Sequence, residues 1–325
     1  MKKIIYNLFI VSAIFSLSNC SEDSFQTVVD YTVPLEKKRI VVNAEVNAGS
    51  DTMVVFLSRS RTSSEAIFDP TDTLNKANLT LFKDGTKYKD LIFVKKEIAI
   101  DGDKQDQYMF KYIALLDKNL PLVKYSLKGS AIGYDDISAD DILPPAVKIQ
   151  NIRFEKDGFE SLVNNFGGKP TKTIKDLIEF TFDDPTGNNY YLLEVRSTQA
   201  DNQGVLVQRV ASFDMNQQFS ASSGGFSGRK AIIPDQTFDG KTFKVQLGVS
   251  ARGGGKGGGT TPTVAEYQII LRSVSRNSYL FEQALASYNA NNGNPFAEPV
   301  VLFTNVYKGF GLFSMQQKAT AIVKP

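Results

Sequence analysis

Apolar and polar positions alternate with a period of two along most of this 325-residue chain. In "RIVVNAEV", Ile40, Val42, Ala44 and Val46 share one face while Val41, Asn43 and Glu45 take the other, as in a strand with one buried side. "TMVVFLS" (residues 52–58) predicts the next strand, joined to the first across Ala48, Gly49, Ser50 and Asp51. "ANLTLFKDGTKY" places Ala77, Leu79 and Leu81 on one face and turns at Asp84-Gly85, a pair that tolerates positive φ at both centres of a tight hairpin. "YMFKYIAL" and "KYSLKGSAIG" predict two further strands. Short, evenly spaced strands of this kind predict a β-sandwich module.

"DDILPPAVKIQNIRF" then interrupts the pattern, because Pro144 and Pro145 cannot donate to a strand ladder. A second strand-rich region follows. Ile178, Phe180 and Phe182 alternate, as do Tyr191, Leu193 and Val195 beyond the turn "DDPTGNN". Phe243, Val245, Leu247 and Val249 form another such run, followed by "EYQIILRSV". One helix is expected in "RNSYLFEQALASYNANNGNP", where Phe281, Ala284, Leu285 and Tyr288 fall at i, i+3, i+4 and i+7. Asn291, Asn292, Gly293, Asn294 and Pro295 supply its stop. Two final strands are expected around residues 307–311. The expected fold is mainly β: two β-sandwich, immunoglobulin-like domains in tandem (37–145 and 146–325), with one short helix near the C-terminus.

The start of the chain carries a different pattern. Lys2 and Lys3 precede the apolar run "IIYNLFIVSAIF". At about 12 residues it is short of the roughly 20 needed to span a bilayer and suits an export signal over residues 1–19. Leu17, Ser18, Asn19 and Cys20 then resemble a lipobox, with Asn19 where Gly or Ala is usual. Cys20 is the only cysteine, so no disulfide partner exists for it. Lipidation at Cys20 is the expectation, with residues 20–36 as a tether. That tether spans at most roughly 50 Å when extended. Several acyl chains, each methylene contributing roughly 0.8 kcal/mol, would hold the protein at a membrane. Ser21, Glu22 and Asp23 resemble short acidic signals that send lipoproteins to the outer face of the outer membrane. The expected location is therefore outer membrane, lipid-anchored and facing the cell exterior.

Composition narrows the chemistry. Removing Lys2 and Lys3 from the 37 basic residues leaves 35 against 35 acidic ones, with no basic excess to attract nucleic acid. Histidine is absent, which removes Ser-His-Asp triads, His metal ligands and His proton shuttles. With no cysteine beyond Cys20 there is no thiol nucleophile, zinc cluster or iron–sulfur site. Carboxylate chemistry and an all-oxygen calcium site stay open. The pairs Asp135-Asp136, Asp140-Asp141 and Asp183-Asp184 are the candidates, against the commoner use of Asp in turns. "SARGGGKGGGTTP" lacks the Ser or Thr that a phosphate loop needs after Lys256, and reads as a loop whose Arg252 and Lys256 could meet a partner. Tyr190 and Phe310 are the outward aromatics if Tyr191 and Phe313 point inward. No cofactor, metal or catalytic residue is expected, and the chain reads as a non-enzyme.

The order of segments is similar to the bacterial outer-membrane lipoprotein family of domain of unknown function 4249. The resemblance runs through "RIVVNAEV", "VVFLSRS", "ANLTLFKDG", "YSLKGSAIGY", "ILPPAVKIQNIRF", "FTFDDPTGNNYYLLEV" and "NPFAEPVVLFTNVYKGFGLFS". Its most specific residues are Asp184, Pro185, Asn189, Tyr190 and Tyr191, then Asn294, Pro295, Phe296, Glu298, Pro299, Asn305, Gly309, Gly311 and Phe313. The resemblance implies no activity. It implies a partner: members are often encoded beside TonB-dependent outer-membrane transporters, which suggests an accessory that captures ligand or caps the barrel. An adhesin or envelope scaffold, and a carboxylate-dependent glycan hydrolase, are the alternatives.

Overall fold

A computed structural model describes residues 37–62, 65, 73–98, 107–163, 171–200, 204–215, 230–250, 264–291, 297–298 and 300–325. The chain is mainly β, as its alternation predicts. The first core is built from β1 (Ile40–Ala48), β2 (Thr52–Arg59), β3 (Ala77–Lys83), β4 (Thr86–Asp90), β5 (Ile92–Ile98), β6 (Gln107–Leu115), β7 (Lys124–Ala131) and β8 (Ile137–Ile142). Val42 and Ala44 of β1, Val55 and Leu57 of β2 and Tyr112 of β6 meet Leu79 and Leu81 of β3 and Tyr125 and Leu127 of β7. The β3–β4 hairpin turns where expected, with φ of 48° at Asp84 and 79° at Gly85, the pair of positive values that a tight two-residue turn needs. The strand β5, "IFVKKEI", escapes the alternation rule because three apolar residues precede three charged ones.

The second core takes β9 (Gln150–Val163), β10 (Thr171–Asp183), β11 (Tyr190–Ala200), β12 (Leu206–Val210), β13 (Ser212–Met215), β14 (Lys230–Pro234), β15 (Thr242–Ser250) and β16 (Val264–Val274). Ile178, Phe180 and Phe182 face Tyr191, Leu193 and Val195 across it, with Val245, Leu247, Tyr267 and Ile269 completing the layer. The cores divide between Leu143 and Val147, on either side of the two prolines. Three residues from the far end of the chain, Val306, Phe313 and Met315, nevertheless belong to the first core.

The reason is the last strand. After β17 (Val306–Tyr307), β18 (Phe310–Val323) pairs in parallel with β1 over its first half and antiparallel with β16 over its second. One nine-stranded sheet thereby runs β12-β11-β16-β18-β1-β2-β6-β5, with β14 also on β11. A four-stranded sheet (β13-β15-β10-β9) and a five-stranded sheet (β17-β8-β7-β3-β4) complete the two cores. The two sandwich-like halves share a sheet, and Lys38–Pro325 forms one compact unit.

The predicted helix is α1 (Arg276–Asn291). Ser275 caps it: its Oγ accepts the Ser278 N–H at 3.2 Å, and its carbonyl accepts the Tyr279 N–H at 3.0 Å. Phe281, Ala284 and Leu285 are half-buried and Tyr288 is exposed. Among the described residues no helix is long and apolar enough to cross a membrane.

Candidate functional site

Where the two cores meet, a cavity of about 530 Å³ opens. Its walls come from Lys124 at the start of β7, Asp140, Asp141 and Ile142 at the end of β8, and the following Leu143, Pro144 and Pro145. Asn188, Asn189 and Tyr190 enter from the turn before β11, and Val274, Ser275, Arg276 and Asn277 from the β16–α1 junction. The prolines end β8 and turn the chain, which leaves the β8 terminus facing the cap of α1.

Asp141 is the buried charge of this wall. One carboxylate oxygen accepts the Met315 N–H of β18 at 2.6 Å and the other accepts Asn277 Nδ2 at 2.8 Å. Ser275 donates as well. Burial pushes the carboxyl up to about 6, against the pull of the Ser275, Met315 and Asn277 donors. Asp140 is its exposed neighbour on the opposite face of the strand, 3.4 Å from Lys124 Nζ. The Asp140-Asp141 pair thus divides into a solvated ion pair and a structural tie among three elements. That arrangement does not present two acids to one substrate.

The turn beside the cavity holds a second carboxylate group. Asp184, Asp235 and Asp239 each place an oxygen within 4.8 Å of the others, with Asp184 and Asp235 buried. Such a set could hold a hard cation, but each acid is already engaged. Asp184 accepts the Tyr191 hydroxyl, and the Gly240 N–H at 2.9 Å. Asp235 accepts the Asn189 N–H at 2.6 Å, and Asp239 the Gly187 N–H at 2.8 Å. Burial, with Asp235 and Asp239 adding to it, holds the Asp184 carboxyl above its ordinary range. Burial likewise raises the Tyr191 hydroxyl, with the Asp184 interaction second. The group locks the "DDPTGNN" turn against the loop before β15.

The signature residues of the sequence divide accordingly. Pro185 offers its carbonyl to Asn189 Nδ2 at 2.6 Å. Tyr190 is half-buried and stacks on Tyr279 of α1, ring centres 4.4 Å apart, while Tyr191 is fully buried. Asn305 binds both backbone groups of Phe313: Oδ1 accepts its N–H at 3.0 Å and Nδ2 donates to its carbonyl at 2.7 Å. The same Nδ2 reaches the Asp140 carbonyl at 3.1 Å. Gly309 and Gly311 lie where β18 approaches β1, and Phe313 is in the first core. Phe310 is the outward aromatic at that end, with the Arg39 guanidinium 5.0 Å over its ring. Tyr190, expected to face outward with Phe310, instead packs with Tyr279 against Leu192, Ile232 and Val274, because α1 covers that face of β11.

Glu298 is exposed. Cys20, Ser21, Glu22, Asp23, Asn294, Pro295, Phe296 and Pro299 lie outside the described residues, as do Arg252 and Lys256 of the glycine-rich loop. The sequence alone does not single out Ser275, Asn277, Asp235 or Asp239. A Ser before the helical run is a visible cap signal. The acids of "PDQTFDG" look like an ordinary turn until Asp184 is placed beside them.

A search of curated proteins finds no match. The family described as Domain of unknown function (DUF4249) matches residues 22–322. It spans both cores and every described signature residue, and the chain belongs to that family.

Proposed function

We propose that the protein is a non-enzymatic lipoprotein of the outer membrane, anchored through Cys20, facing the exterior and serving a TonB-dependent transporter by capturing ligand or capping its barrel. One observation carries the reading: the only cysteine stands directly after an apolar export segment, ahead of a compact unit beginning at Lys38. A lone thiol there has no disulfide to make, and acylation gives it a role. The family match begins at Glu22, two positions past it.

The cavity between the cores supports binding over catalysis. Its one buried acid is committed to Met315, Asn277 and Ser275, and the chain has no histidine to serve as base. Amide, aromatic and proline side chains on its wall suit recognition.

Affinity purification from the native membrane through a C-terminal tag, in mild detergent with mass spectrometry, tests the proposal. A stoichiometric TonB-dependent transporter is the expected companion. A lipidated chain that purifies alone would replace the accessory role with the adhesin or scaffold reading.

A further inference from the structure

The outer face of the nine-stranded sheet is apolar at one end. Val54 of β2 stands directly opposite Ile113 of β6, which stands opposite Ile92 of β5. On the same face, Leu115 lies to one side of this row, opposite Thr52, while Phe56 and Val94 lie to the other, with Lys111 of β6 opposite Val94. Ile92 is 69% exposed, Leu115 68% and Phe56 41%. The alternate residues Met53 and Val55 of β2 and Tyr112 and Ala114 of β6 fill the first core, with Phe93 of β5 packed against it. One end of the sheet therefore carries apolar side chains on both faces, with Lys111 among those of the outer face, and among the described residues only the inner face is covered. A contiguous exposed apolar patch of this kind marks a contact surface.

From these residues we infer that this face rests on the lipid surface to which the chain is anchored; the inference depends on the Cys20 anchor proposed above. Two observations select lipid as the occupant. The first is where the chain enters. The tether from Cys20 leads into β1, and Asn43, three residues into that strand, pairs with Phe56. At about 3.3 Å per residue and 4.8 Å per strand, the patch lies roughly 10–25 Å from the point of entry. A tether of at most roughly 50 Å reaches it easily.

The second is size. Six side chains offer on the order of a few hundred Å², below the roughly 800 Å² per partner of a stable protein interface. A face that small cannot hold a free partner, but a tethered protein meets its own membrane at high effective concentration, where weak affinity is enough.

The absence of any thiol besides Cys20 makes the test clean. Full-length lipidated protein carrying Ile92→Cys or Leu115→Cys is labelled with a polarity-sensitive fluorophore. It is reconstituted in phosphatidylethanolamine–phosphatidylglycerol vesicles, with Lys156→Cys on the exposed face of β9 as the reference. The expected result is blue-shifted emission at positions 92 and 115, quenched by nitroxide-bearing lipids, with water-like emission at 156. Water-like emission at all three positions overturns the docking while leaving the anchor intact. A blue shift that lipid quenchers do not touch, and that grows with protein density, overturns it in favour of a second copy. The intact mass of the same samples reads the anchor separately: a chain without acyl mass removes both the anchor and the proposal.

Discussion

Gly311 passes so close to Val42 that a Cβ built on it would lie 1.9 Å from the Val42 carbonyl oxygen. The contact is the crossing point of β18 onto β1, where the last strand joins a core otherwise assembled from Ile40 to Leu143. Gly311 also has φ of +97°, a backbone state that a side chain rarely adopts.

Gly311→Ala is therefore expected to destabilise the fold by about 3 kcal/mol or more, since backbone blocks the new atom and one of the two strands must move. Gly85 provides the control. It too has positive φ, 79°, but a Cβ there meets nothing within 4 Å. Gly85→Ala should cost about 1 kcal/mol from conformation alone. Urea unfolding of the two variants separates clash from strain, and equal losses would show that β18 is not held against β1 as described.

Asp141 gives stability a pH dependence of defined sign. An unfolded Asp ionises near roughly 3.9, while burial holds the folded carboxyl at about 6. Between those values the folded state keeps the proton that the unfolded state releases. Stability therefore falls as pH rises through this window and stays lower above it. The gap between the two ionisations corresponds to about 3 kcal/mol at most. Asp141→Asn should flatten that part of the curve, and the difference between wild type and variant, followed by urea unfolding from acid to neutral pH, should rise on acidification. A difference independent of pH would mean that the donors from Met315, Asn277 and Ser275 cancel the effect of burial, and one that falls on acidification that they outweigh it.

The contrast between Asp84-Gly85 and Gly311 also explains what the chain discloses in advance. The hairpin turn depends on two adjacent residues, and so does the end of β8 at Pro144. Strand faces such as that of Ile178, Phe180 and Phe182 need only local alternation, and the helical run from Phe281 to Tyr288 needs only its own spacing. All of these are legible. The pairing of β1 with β18 joins residues at opposite ends of the chain, and no local pattern encodes it. The acid group of Asp184, Asp235 and Asp239 is hidden for the same reason, as is the bond from Asp141 to Met315. Asp140-Asp141 reads as turn or ligand carboxylates because their spacing says nothing of the strand that β8 meets.

Asn305 replaces a missing strand partner for Phe313, binding its N–H and its carbonyl at once. Phe313 is buried, so Asn305→Ala leaves two backbone groups unsatisfied and is expected to cost about 2–4 kcal/mol. Asn305→Asp keeps the acceptor for the Phe313 N–H but sets a carboxylate against the carbonyls of Phe313 and Asp140. At neutral pH it should be at least as damaging as Asn305→Ala, and acidification should restore part of the loss. Thermal melting of both variants at acid and neutral pH checks the ordering; an Asp variant indifferent to pH would place Asn305 away from those carbonyls.

Cys20→Ser tests the anchor without touching the fold, because Cys20 precedes the compact unit that begins at Lys38. Acyl chains contribute roughly 0.8 kcal/mol per buried methylene, so a lipidated chain stays with the membrane fraction through high-salt washing. Once the export segment is removed, the substituted chain keeps the apolar patch of β2, β6 and β5, and a patch of a few hundred Å² binds reversibly. It is expected to lose metabolic labelling with fatty acid and to leave the membrane on washing, while its melting temperature in detergent-free buffer matches that of the acylated chain's folded unit within a few degrees. Retention of the label would place acylation on another residue. Retention at the membrane without the label would transfer the anchoring role from Cys20 to the protein surface.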